Sequence, residues 1–254
     1  MIRTEHIIYK VKGKEILSDV GFHLQKGDFC AVVGMNGSGK STLLKHLCRV
    51  VEPTSGDIFI KQKNIKKYSV KDLAKEVSVV FQSDDINLDF CALQIVLMGR
   101  TPYQRIFDKD KEEDLLKAED AMRKTNTLHL KNRLFPSLSG GEKQRVLIAR
   151  ALCQDTPVIL LDEPIANLDL KHQFEIMELL QRINKENQAT IFIILHDLSF
   201  ALQYANKVLA LKEGKIRFFG NSKEVLTEEN IKEIFEVRAT IINNNNIILQ
   251  QQKI

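Results

Sequence analysis

The stretch Gly34-Met35-Asn36-Gly37-Ser38-Gly39-Lys40-Ser41 constrains this 254-residue chain more than any other feature. It fits G-x-x-x-x-G-K-[ST] and follows a wholly apolar run, residues 29–33, that reads as a strand buried on both faces. A helical stretch, residues 40–50, comes next. Gly34, Gly37 and Gly39 let the backbone curl so that successive N–H groups point at phosphate oxygens. The N-terminus of the following helix adds positive potential at the same point. Lys40 reaches the β- and γ-phosphates, and the Ser41 hydroxyl can ligate Mg²⁺. Strand, loop and helix in this order imply a nucleoside-triphosphate site.

The rest of the chain alternates strands and helices. Residues 5–12 and 15–25 read as an antiparallel hairpin around Gly13 and Lys14. Residues 53–56 form a turn, 57–61 a strand and 77–81 another buried strand. From about residue 84 to 137 the character changes. The charge-dense run 108–131 carries Leu115, Leu116, Ala118, Ala121, Met122 and Leu128 at helical spacing, which predicts an inserted helical subdomain. Beyond it follow a helix (139–153), a strand (158–161), a helix (169–187), a strand (190–195) and a helix from Asp197. That alternation predicts a parallel sheet covered on both faces. In the tail, 238–250, two β-rich pieces flank Asn243 to Asn246, which suit a hairpin turn because Asn tolerates φ > 0. The expected organisation is one domain over 1–254, with a nucleotide-binding core of 1–83 and 138–254 and a helical insertion of 84–137.

Composition excludes more than it identifies. Thirty-seven Lys and Arg against 33 Asp and Glu leave +4, too small a surplus to recommend a nucleic-acid partner. No apolar run approaches the ~20 residues that span a bilayer, and residues 1–17 break their apolar positions with charge, unlike a signal peptide. Cys30, Cys48, Cys91 and Cys153 lie far apart without a CxxC pair and read as small hydrophobes in a reducing compartment.

Two acids close the strand at 158–161. The carboxyl edge of a doubly wound sheet is where ligands bind, so Asp162 is placed to hold Mg²⁺ and Glu163 to polarise an attacking water as general base. Gln82 follows the strand at 77–81 and belongs to the same edge, where its amide could ligate Mg²⁺ and orient water. His196 follows the strand at 190–195; it either hydrogen-bonds the γ-phosphate or is a structural strand-end histidine.

Leu138-Ser139-Gly140-Gly141-Glu142, followed by the amphipathic KQRVLIARAL, lies about 20 residues before Glu163. With the phosphate loop, Gln82, the LLDEP run around Asp162, Asn167-Leu168-Asp169 and His196 in the same order, the chain resembles the ATP-binding-cassette (ABC) ATPases over essentially its whole length. The resemblance implies the α/β P-loop NTPase fold of those ATPases: a mostly parallel core sheet, an N-terminal antiparallel β-subdomain and an inserted α-helical subdomain. It makes Gln82 the Q-loop glutamine, Glu163 the catalytic base, His196 the switch histidine and Asp169 the D-loop aspartate. ATP would meet Tyr9 and the loop residues Gly34, Met35, Asn36, Gly37, Ser38, Gly39, Lys40, Ser41 and Thr42, with Mg²⁺ at Ser41, Gln82 and Asp162. The signature residues Leu138, Ser139, Gly140, Gly141 and Glu142 would open a second anion-binding helix, facing ATP held by the other protomer. One loop and one signature per chain imply a head-to-tail homodimer with two ATP molecules sandwiched. Two departures stand out. Tyr9 lies two residues before the usual register of the adenine-stacking aromatic, where Val11 stands, so it either stacks or serves as a half-buried strand aromatic. The usual PTxxLD reads Pro164-Ile165-Ala166-Asn167-Leu168-Asp169, and Ile165 lacks the hydroxyl.

Met98-Gly-Arg-Thr-Pro-Tyr103, Leu168-Asp-Leu-Lys-His-Gln173, Leu195-His-Asp-Leu198 and Gly220-Asn-Ser-Lys-Glu-Val-Leu-Thr227 resemble the ATPases of iron-siderophore, haem and cobalamin importers. This implies a peripheral subunit on the cytoplasmic face of the membrane, soluble when isolated. It would contact integral-membrane permease subunits through about residues 84–103, a substrate-binding protein only indirectly, and no nucleic acid. An ATPase for amino acids, metal ions or exported lipids, and a non-transport ABC ATPase of DNA repair or translation, stay open as alternatives.

Overall fold

The computed structural model describes residues 1–82, 89–104, 111–166, 168–242 and 246–250. It opens with β1 (Ile2–Val11) and β2 (Lys14–Leu24), paired antiparallel from Ile2↔Leu24 to Val11↔Lys14. Ile2, Thr4 and Ile7 are buried on β1, and Leu17, Val20, Phe22 and Leu24 on β2, the alternation of strands with one wet face. β3 (Phe29–Val33), buried at every position, and α1 (Lys40–Leu47) follow. β4 (Ser55–Ile60) and β5 (Lys63–Asn64) then extend the hairpin into an antiparallel sheet of order β2-β1-β4-β5. α1 is shorter than its sequence predicts, because Arg49 takes a left-handed φ of 56° and ends it.

After α2 (Val70–Leu73) and β6 (Val77–Val80) comes the helical segment, α3 (Ala92–Leu97) and α4 (Glu112–Lys124). Between them Met98–Tyr103 winds as a 3₁₀ helix with Pro102 inside it. α3 and α4 pack on α5 (Gly140–Cys153) through Ile95, Val96, Ala118, Ala121, Met122, Val146 and Ala149. The start of this segment expected near residue 84 lies outside the described residues.

A buried ion pair fastens this lobe. Arg100 Nε donates to Asp114 Oδ1 at 2.8 Å with the two side chains 4% and 7% exposed, Arg100 Nη1 donates to the Cys153 carbonyl, and the guanidinium lies 3.9 Å from the Tyr103 ring centre. Burial alone would raise the Asp114 carboxyl, but the hydrogen bond and charge of Arg100 outweigh it and hold the group below its ordinary value. Asp114→Ala is expected to cost about 3–5 kcal/mol of unfolding free energy at neutral pH, because the guanidinium stays buried without its counter-charge. Since the folded-state pKa is depressed, that contribution is complete above the unfolded value near 4 and fades as pH falls through the folded one. Urea titrations of wild type and variant at neutral and strongly acidic pH read both effects; equal stabilities at neutral pH would refute them.

β7 (Val158–Asp162), α6 (Leu170–Asn187), β8 (Thr190–Ile194), α7 (Leu198–Tyr204), β9 (Lys207–Lys212) and β10 (Lys215–Asn221) complete the main sheet. Its order is β10-β9-β3-β8-β7-β6, parallel except for the antiparallel pair β9–β10. Each central strand divides its side chains between two cores. Ala31, Val33, Ile159, Leu161, Ile191 and Ile193 pack with α5, α6 and α7, whereas Cys30, Val32, Leu160, Phe192 and Ile194 pack with α1 and the first sheet. Coverage on both faces is why these strands read as continuous apolar runs. α8 (Ser222–Val225), α9 (Glu228–Phe235) and the hairpin β11 (Arg238–Ile242)–β12 (Asn246–Gln250) end the described chain. Of the four asparagines expected to turn it, Asn243, Asn244 and Asn245 lie outside the described residues. Among the described residues no helix is long and apolar enough to cross a membrane.

Candidate active site

Because β3, β8, β7 and β6 run parallel, the segments that leave them emerge on one edge of the sheet. The loop after β3 is held by close backbone approach. Gly34 has φ 149°, and a Cβ there would collide with the Leu211 carbonyl oxygen at the end of β9. Gly39, at φ 104°, precedes α1 without any side-chain cap, so the first-turn N–H groups of α1 stay available to an anion. Met35, Asn36 and Gly37 form the exposed tip, Ser38 is buried, and Ser41 and Thr42 are half-buried.

The Lys40 ammonium donates to the carbonyls of Gly34 at 2.8 Å and Met35 at 3.0 Å. Burial lowers its pKa, while the negative charges of Glu163 and Asp162 oppose that shift. Ser41 Oγ donates to Asp162 Oδ1 at 3.1 Å. Burial raises the Asp162 carboxyl, with the Ser41 hydrogen bond opposing and the Glu163 charge adding to the rise. Ser38 Oγ is buried within the loop with no hydrogen-bond partner, a polar group left for a ligand to satisfy. A hydroxyl and a carboxylate side by side under a loop of donors fit a triphosphate with its cation. Mg²⁺ takes few protein ligands and most of its shell from water and phosphate. Among the described residues there is no group of three or more His, Cys, Asp or Glu side chains that would make a protein-only cage.

Three of the sequence-predicted residues meet at one carboxylate. Glu163 Oε1 lies 2.6 Å from His196 Nε2, and Glu163 Oε2 accepts from Gln82 Nε2 at 2.7 Å. Sheet register explains the meeting: Asp162 pairs with Ile194 and Leu161 with Val80, so Glu163, His196 and Gln82 each follow one or two residues past a paired position. Glu163 has φ 51°, an uncommon conformation for a residue other than glycine and typical of functional sites. Ile165, two residues on, is buried in the core.

The signature residues stand apart from this cluster: among the described residues no hydrogen bond or ion pair joins 138–142 to it. Ser139 caps α5. Its Oγ accepts from the Glu142 N–H at 3.3 Å, and its own N–H donates to Glu142 Oε2 at 2.8 Å, a reciprocal capping box. The Ser139 N–H holds the Glu142 carboxyl below its ordinary value. Leu138 is buried, and a Cβ on Gly140 would meet open space, whereas one on Gly141 would touch the His172 ring. Asp169 caps α6, its Oδ1 accepting from the His172 N–H. Asn167, part of the D-loop reading, lies outside the described residues. Tyr9 is half-buried and edge-on to His46, ring centres 4.7 Å apart, while Val11 at the end of β1 is exposed.

The sequence brings in His172 and Gln173 only as part of the run 168–173 and assigns neither a role. The Gln173 amide donates to the carbonyls of Ile165 and Leu168, holding the loop after β7. The spacing from the capping Asp169 to His172, three residues into a helix, is the signal that points to the first of them.

A loop of the phosphate-binding pattern, a carboxylate hydrogen-bonded to its serine and a second carboxylate clamped between Gln82 and His196, all on one sheet edge, make up the site of a P-loop ATPase. The ABC transporter family profile matches residues 17–166, and the chain belongs to that family as an ATP-binding, ATP-hydrolysing cassette. It is 35% identical over 243 residues to the iron(3+)-hydroxamate import ATP-binding protein FhuC of Bacillus subtilis, covering 96% of this chain and 90% of the relative. It is 37% identical, over 243 residues and the same shares, to the ferric enterobactin transport ATP-binding protein FepC of Escherichia coli. Among solved structures, a chain of an inward-facing ABC transporter described as of metal-chelate type superposes with a TM-score of 0.86 at 30% identity, covering 99% of this chain and 98% of that one. A dimeric ATP-binding cassette in a post-hydrolysis state, bound to ADP and Pi, superposes with a TM-score of 0.76 at 28% identity, covering 87% and 99%.

Proposed function

We propose that the chain is the ATPase subunit of an importer that takes up an iron chelate, working on the cytoplasmic face of the membrane as a head-to-tail dimer beneath permease subunits. The observation that carries the chemistry is the Glu163 carboxylate held between Gln82 and His196 on the edge that bears the phosphate loop. The iron-chelate cargo is supported by the relatives, whose names specify iron(3+)-hydroxamate and ferric enterobactin.

In this reading Lys40, Ser38 and the loop amides bind the triphosphate, and Lys40 exchanges the carbonyls of Gly34 and Met35 for phosphate oxygens. Mg²⁺ held by Ser41, Gln82 and Asp162 would neutralise charge on the β- and γ-phosphates. Glu163 takes a proton from the attacking water. His196 donates toward the γ-phosphate side, and Gln82 keeps the carboxylate turned inward. Adenine lies at the end of β1, by Tyr9 and Val11. The partner's signature residues, with their amides at a helix N-terminus, close the site over the γ-phosphate. The chain acts as one domain in which 84–137 is the inserted lobe, and residues 84–103, of which the structure describes 89–103, meet the permease. A substrate-binding protein delivers the cargo without touching this subunit.

The reading is tested by purifying the chain with its membrane partner, reconstituting it in vesicles and adding the loaded binding protein. A ferric siderophore is expected to stimulate ATP hydrolysis and to accumulate in the lumen. Stimulation by haem or cobalamin would move the cargo within the metal-chelate group; stimulation by an amino acid, or none by any chelate, would overturn it.

A further inference from the structure

α5 and α6 present two elements that, in the dimer just proposed, both face the partner: the signature residues at the start of α5 and the D-loop before α6. The structure ties them together within one chain. Asp169, at the end of the D-loop, spends both carboxylate oxygens on His172: Oδ1 accepts the His172 backbone N–H at 3.0 Å, and Oδ2 lies 2.7 Å from His172 Nδ1. The hydrogen bond from the His172 N–H, then that from its ring, holds the Asp169 carboxyl below its ordinary value, so it stays an acceptor. The other side of the same imidazole abuts the signature: a Cβ on Gly141 would lie 3.3 Å from Cγ and 3.4 Å from Cδ2 of the ring. Next in sequence, Gln173 Nε2 bonds the carbonyls of Ile165 at 3.2 Å and Leu168 at 3.1 Å, fixing the loop from behind. One turn further along, Arg145 of α5 and Glu175 of α6 pair at 2.9 Å.

We propose that His172 is a positioning residue that locks the signature helix to the D-loop of its own chain, so that the two engage the partner's nucleotide as one rigid unit. This rests on the dimeric-ATPase reading. His172 acts through its neighbours Asp169 and Gly141: it sets the spacing of two groups that must arrive at the partner site together. A ring in tight contact with Gly141 and both Asp169 oxygens occupied leave little freedom for one element to shift without the other.

The test uses the full chain and measures kcat and KM for ATP over a range of protein concentrations, with nucleotide affinity and melting temperature taken alongside. Three variants separate the contacts. His172→Asn keeps a donor near the Nδ1 position and loses the ring, His172→Phe keeps a ring against Gly141 and loses the donor, and His172→Ala loses both. His172→Ala is expected to lower kcat by about 10- to 100-fold, the size of effect that a misplacement of about 1 Å produces, with KM and ATP affinity changed less than about threefold. Recovery of most of that loss by either conservative variant supports the positioning role and identifies the contact that carries it. An unchanged kcat in His172→Ala overturns the proposal. So does an equal loss in all three variants accompanied by lost ATP affinity and a lower melting temperature, which marks a merely structural residue. A wild-type chain that is strictly monomeric by size-exclusion chromatography with ATP and still shows full turnover overturns the dimeric reading instead, and the proposal with it.

Discussion

Glu163→Gln is expected to cut ATP turnover by about 10²- to 10⁴-fold, the range supplied by a positioned general base, while leaving ATP bound. The substitution conserves volume, and glutamine tolerates the left-handed backbone at 163 as glutamate does. The amide oxygen can still accept from Gln82 Nε2, so the pocket keeps its shape. What is lost is the basic oxygen facing His196 and the negative charge beside the triphosphate site. That charge helps keep Lys40 protonated, but it also repels a polyanion. Removing it is therefore expected to leave ATP affinity equal or tighter, and slow hydrolysis lets the ATP-bound dimer accumulate. Single-turnover hydrolysis and size-exclusion chromatography with and without ATP read both halves. Normal turnover in the variant would mean that another group takes the proton.

The site is legible in the sequence where it depends on local geometry plus one topological rule. The loop at 34–41 needs its own glycines and the helix behind it, and both are contiguous in the chain. Asp162, Glu163, Gln82 and His196 are readable because parallel strands end on a common edge, so a polar residue just past each apolar run belongs there. Contacts between segments brought together only by packing are not readable in this way. Nothing in the spacing of Arg100 and Asp114 says that they are buried on each other, or that the Arg100 guanidinium reaches the last turn of α5. The same holds for His172 against Gly141, where the nearest sequence hint, the Asp169–His172 spacing, explains the capping bond and not the ring contact. β9 and β10 also escape the sequence reading. Their turn, Glu213-Gly214, is a weaker hairpin signal than Asn-Gly or Asp-Gly, although both residues adopt positive φ. They still matter to the site, since the Leu211 carbonyl on β9 is the atom that forbids a side chain at Gly34.

Lys40→Met is expected to weaken ATP binding by about 10- to 100-fold, the equivalent of the roughly 1.5–3 kcal/mol carried by hydrogen bonds to a charged group. Methionine keeps an aliphatic stem in a site where Lys40 is 5% exposed, so the change removes the ammonium and little packing. Without it, Asp162 and Glu163 face the incoming phosphates uncompensated. The buried ammonium sets two further signs. Burial of the ammonium disfavours its charged form in the nucleotide-free protein, so the variant's melting temperature without ATP should equal or exceed that of wild type. Because the folded-state pKa of Lys40 is depressed, wild-type ATP affinity should fall as pH rises through that lowered value, and the variant's affinity should not follow. Calorimetric titrations with ATP from neutral to alkaline pH, paired with thermal melts, give all three results. A variant that binds ATP as tightly as wild type at neutral pH would remove Lys40 from the phosphate site, whatever its place in the loop.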